Sequence, residues 1–133
     1  MKKYIFIAIL IAIGSLSGII FLLRGNGWSS NSSTINQSNV SIQSGKQVIQ
    51  IEAKGGYAPR NTVAKANVPT TLMLNTRGTF DCSSAISIPS LGYRATLPAT
   101  GITPIEIPPQ SSGTTIKGLC AMGMYQFAIN FTE

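Results

Sequence analysis

Histidine is absent from all 133 residues, and only four acidic residues are present, Glu52, Asp81, Glu106 and Glu133, each standing alone. Without an imidazole no cysteine or serine can be paired with the usual base. Without neighbouring carboxylates there is no acid/base couple at a recognisable spacing. No glycine-rich phosphate loop precedes a helix pattern. These absences argue against the common enzyme classes, and the chain reads as a non-enzyme. Cysteine is also scarce. Cys82 and Cys120 are too few for a disulfide scaffold, yet they suffice for one bridge or one metal site.

The net charge of +6 looks at first like a nucleic-acid signature. Its distribution says otherwise. Lys2, Lys3, Arg24 and Lys46 all precede the periodic part of the chain. From Gln47 onward six basic residues face four acidic ones, a net +2, with no basic run and no interleaved stacking aromatics. Nucleic acid is therefore not an expected partner.

Residues 4–23 carry no charge for twenty positions. A helix of that length spans about 30 Å, the thickness of a bilayer's hydrocarbon core. A cleaved signal peptide is the competing reading, since Lys2 and Lys3 would make its basic start. The apolar run is longer than the usual core of a signal, and no Ala-x-Ala site follows it. An uncleaved anchor over residues 1–24 is expected, with Trp28 at headgroup level. Two lysines before the span against one arginine after it favour a domain outside the cell.

Residues 25–46 are rich in Ser, Asn, Gln and Gly, the composition of a flexible linker with a reach of roughly 25 Å. From Gln47 the pattern changes to period two. Ile49, Ile51 and Ala53 share one face of a strand, Leu72 and Leu74 another, and Tyr125, Phe127, Ile129 and Phe131 a third. About eight short strands punctuated by prolines, with no amphipathic helix among them, predict an antiparallel β-sandwich over residues 47–133.

The densest chemistry lies in Gly118-Leu119-Cys120-Ala121-Met122-Gly123-Met124, which sets one thiol and two thioethers within five residues. Together with Cys82, and without imidazole, this is a soft sulfur donor set of the kind Cu(I) prefers. A structural disulfide between Cys82 and Cys120 is the alternative for the cysteines. Packing at one end of the sandwich is the alternative for the methionines. Gly123 between them favours a turn.

The run from Glu52 to Pro59, followed by Val63 to Pro69, resembles the first two strands of a cupredoxin. The Cys120-x-Met122-x-Met124 turn stands where cupredoxins carry their C-terminal ligand loop, and Cys82 stands at the place of the first blue-copper histidine. With these sulfur residues the chain is most similar to the CupA-like family of membrane-anchored Cu(I) chaperones. It also resembles the cupredoxin-like metal-binding domains of copper-exporting P-type ATPases. The resemblance implies a Greek-key cupredoxin-like sandwich behind a single transmembrane helix. It implies two Cu(I) ions, a tight one at Cys82 and Cys120 and a looser one using Met122 and Met124. It further implies a copper-exporting P-type ATPase as partner. Electron transfer is excluded, because a blue copper centre needs two imidazoles beside its thiolate. The need for reduced thiols, with the resemblance, places the domain on the cytoplasmic side of the cell membrane, against the weak charge bias.

Overall fold

A computed structural model describes residues 39–133. The expected anchor over 1–24, and the expected linker up to residue 38, lie outside the described residues. Among the described residues no helix is long and apolar enough to cross a membrane.

The period-two segments fold as strands because alternate side chains leave opposite faces of an extended backbone. Among the described residues ten strands are formed: β1 (Val40–Gln43), β2 (Lys46–Ala53), β3 (Tyr57–Ala58), β4 (Asn61–Lys65), β5 (Thr70–Arg77), β6 (Ala85–Ile88), β7 (Tyr93–Thr96), β8 (Thr100–Ile107), β9 (Thr115–Cys120) and β10 (Gln126–Thr132). One sheet runs β1-β2-β5-β8 with β3 paired to β2, and the other runs β4-β10-β9-β6-β7. Their inner faces form one core, in which Ile49, Ile51, Leu72 and Leu74 meet Ile116, Phe127, Ile129 and Phe131. Each of these side chains is at most 1% exposed. Burial on that scale stabilises by about 1.5–3 kcal/mol per side chain. The fold of the described residues is an all-β sandwich of two sheets.

Two features differ from the expectation. The first sheet begins at Val40, inside the stretch read as linker, because β1 and β2 form a hairpin through Ser44 and Gly45. The sheets are mixed rather than antiparallel throughout: β2 pairs with β5, and β4 with β10, in parallel. The first pairing follows from one excursion. The chain leaves β2, crosses to the other sheet as β4, and returns as β5 beside β2. Pro104 lies within β8, opposite Met73. As β8 is an edge strand, the missing N–H is tolerated there.

Polar groups also tie the sheets together. Gln47, 1% exposed, accepts from the Lys65 N–H at 2.8 Å and donates to Thr70 Oγ1 at 3.0 Å. This one side chain connects β2, β4 and β5, and its own buried amide is paired on both its oxygen and its nitrogen.

Candidate metal centre

Cys120 is the last residue of β9, and its side chain faces the core, 2% exposed. The β9–β10 connection turns immediately after it. The Cys120 N–H donates to the Tyr125 carbonyl at 3.0 Å, and the Gly123 N–H donates to the Cys120 carbonyl at 2.8 Å. Gly123 takes φ +70°, a left-handed conformation that glycine adopts without a Cβ penalty. The Tyr125 N–H points at Cys120 Sγ at 3.4 Å, a contact that would favour a negatively charged sulfur.

Cys82 reaches the same place from the crossover between β5 and β6. It opens a short 3₁₀ turn, Cys82–Ser84, capped by Asp81. One Asp81 carboxylate oxygen accepts from the Ser83 N–H at 2.8 Å and from the Ser83 hydroxyl. The other accepts from the Gly55 N–H at 2.8 Å. These donors, the Ser83 hydroxyl first, hold the Asp81 carboxyl below its ordinary range. Behind the turn the buried Tyr57 hydroxyl donates to the Ser83 carbonyl at 3.2 Å. Burial, reinforced by the nearby Asp81 charge, pushes the Tyr57 phenol up to about 12, so it remains a donor at physiological pH. In the sequence Asp81 reads as a turn former beside Cys82, and it caps that turn. The parts played by Tyr57, Ser83 and Gly55 were not visible there, because their contacts with the turn are made across the fold.

The two cysteines, 38 residues apart in sequence, meet. The structure holds them as a Cys82–Cys120 disulfide with Cα atoms 5.7 Å apart, a usual separation for such a bridge. Cys82 is partly exposed and Cys120 buried, so the pair is reached from the Cys82 side. Met122 and Met124 lie in the turn just beyond, 76% and 63% exposed. Packing inside the sandwich therefore does not account for them. Phe80, two residues before Cys82, is also exposed. An open groove of about 510 Å³ runs beside the turn, lined by Cys120, Ala121 and Gly123 on one side and by Ala85, Arg94 and Thr96 on the other.

The chemistry available depends on the state of the pair. As a disulfide it offers no thiolate. Reduced, it sets two thiols side by side with two thioethers on the adjoining turn, a soft donor set that fits Cu(I). Among the described residues no three His, Cys, Asp or Glu side chains gather, so the site lacks the mixed set that zinc or a harder cation would use.

The amino-acid sequence matches a family model described as the cupredoxin-like domain over residues 19–129. The chain belongs to that family. Among solved structures, this cupredoxin-like chain is similar to the metal-binding domain of the Cu(I)-exporting P-type ATPase CopA from Streptococcus pneumoniae D39, solved with Cu(I). The two are 22% identical with a TM-score of 0.62, over 71% of this chain and 93% of that one. It is also similar to a copper-binding protein solved in its apo form, at 27% identity and TM-score 0.62, over 69% of this chain and 93% of that one. A comparison with curated protein sequences gives no match.

Proposed function

We propose that this cupredoxin-like domain binds Cu(I) through Cys82 and Cys120 in their reduced form, with Met122 and Met124 as an outer, exchangeable set. The observation that carries the reading is the convergence of the two cysteines at the turn bearing both exposed methionines. The copper-binding proteins of similar fold support it. Thiolates would hold one ion tightly by displacing their protons, so affinity rises with pH. Neutral thioethers bind a second ion more loosely. A tight site beside an exposed loose one allows metal to leave by ligand exchange, in keeping with a carrier rather than an enzyme. The apolar run at residues 4–23 would tether this carrier to the cell membrane with its domain on the cytoplasmic side, in reach of a copper-exporting P-type ATPase.

The test is an anaerobic Cu(I) titration of the full-length reduced chain against a coloured chelator. Uptake of up to two ions is expected. The C82S/C120S double variant should lose the tight one. Unchanged affinity in that variant would overturn the assignment.

A structural sandwich pinned by a Cys82–Cys120 disulfide is the other reading, favoured by the bonded state of the pair. Counting free thiols in protein isolated under anaerobic conditions separates the two. Two free thiols support the carrier, and none, with no uptake after reduction, supports the pinned sandwich.

A further inference from the structure

A pair of thiols that closes into a disulfide within an intact fold is a two-electron reductant as well as a ligand set. We propose that reduced Cys82 and Cys120 convert Cu(II) to Cu(I), becoming the disulfide as they do so. The inference rests on the Cu(I)-binding reading of the same site. Each thiol gives up one proton and one electron. Both S–H bonds break, the Sγ–Sγ bond forms, two protons pass to solvent, and two Cu(II) ions each accept one electron to leave as Cu(I).

Four observations favour this outcome over stable Cu(II) binding. The oxidised product is already accommodated: the sandwich holds the pair bonded, with its Cα atoms 5.7 Å apart. The chain has no histidine, so no imidazole is available to hold copper in its oxidised state beside the thiolates. There is no third cysteine, so within one chain the oxidation ends at this bond. Cys82 is partly exposed while Cys120 is buried, so an arriving ion meets one thiol first and the second lies behind it to close the bond. Once the thiolates are consumed, Met122 and Met124 remain as soft donors for the Cu(I) produced.

The experiment uses the full-length chain, fully reduced and free of oxygen, in two steps. Cu(I) affinity is first measured by chelator competition. Fresh protein then receives two equivalents of copper(II) sulfate, with Cu(II) followed by its electron paramagnetic resonance signal and thiols counted after quenching. The expected result is loss of the Cu(II) signal, a fall from two thiols to none, and a monomer whose peptide map shows Cys82 joined to Cys120. The C120S variant, unable to close the bond, should reduce Cu(II) at least roughly tenfold more slowly. Tight Cu(I) binding followed by a persistent Cu(II) signal, or thiol loss ending in cross-linked dimers, overturns this inference alone. No Cu(I) binding at the first step overturns the binding reading and this inference with it.

Discussion

Gly118 meets the tightest packing demand among the glycines of this domain. It lies in β9 opposite Phe127 of β10, and a Cβ there would come within 2.2 Å of two ring carbons of that phenylalanine. The ring is 1% exposed and stacks edge-on against Tyr57 at 5.1 Å, so it has no room to retreat. G118A is therefore expected to destabilise the domain by roughly 1–3 kcal/mol, read as a lower urea midpoint with an unchanged slope. Tyr57 itself gives a pH signature. Its phenol ionises near 10 when unfolded and about 12 when folded. Folding thus favours the protonated form: this contribution is fully present below pH 10 and is lost as pH rises towards 12. Y57F should cost about 1 kcal/mol at neutral pH through the unpaired Ser83 carbonyl. It should also flatten the decline of stability between pH 10 and 12 relative to the parent, and an unaltered decline would sink the assignment.

At the scale of one element, the 3₁₀ turn carrying Cys82 depends on a single carboxylate. Asp81 accepts from Ser83 and from Gly55, and so ties the turn to the β2–β3 connection. The group is exposed, so its effect is local rather than a large share of global stability. Because its folded pKa is depressed, the stabilisation is present above the ordinary carboxylate range and is lost as pH falls through the lower, folded value. In D81A the Ser83 and Gly55 amides should exchange with deuterium faster, while the β2 and β5 amides keep the parent rates. Equal protection at Ser83 in both proteins would mean the turn is held by other contacts. The exposed Lys46–Glu106 ion pair at 2.7 Å, by contrast, joins β2 to β8 with little expected effect.

For the whole molecule the Cys82–Cys120 link closes 38 residues of chain. By chain-entropy reasoning, a closed loop of that length contributes about 4 kcal/mol by restricting the unfolded state. Reduction should therefore lower the denaturant midpoint of the parent and leave the C82S/C120S variant unaffected. If the reduced pair takes Cu(I), metal at about a thousand times its Kd returns about 4 kcal/mol by mass action. Thermal melts of the reduced chain with and without Cu(I) check this, and coincident curves would argue against a folded-state copper site.

Periodicity and donor chemistry are local properties, and they were legible in the chain. The alternation through β2, β5 and β10 identified the core faces, since period two follows from extended backbone alone. The absence of histidine and the spacing of Cys120, Met122 and Met124 defined which chemistry a site here could have. The exposed, Ser-containing strand β1 and the two-residue β3 carry too little apolar pattern to be seen. Parallel pairing of β2 with β5 and of β4 with β10 is a property of how the chain crosses between sheets, which composition does not encode. The same holds for the demand on Gly118 and for the bracing of the Cys82 turn by Tyr57 and Gly55. The sequence by itself determined an all-β sandwich and a soft sulfur donor set. Which residues brace the site was decided only by tertiary structure, because contacts between distant segments depend on the packing of both sheets at once.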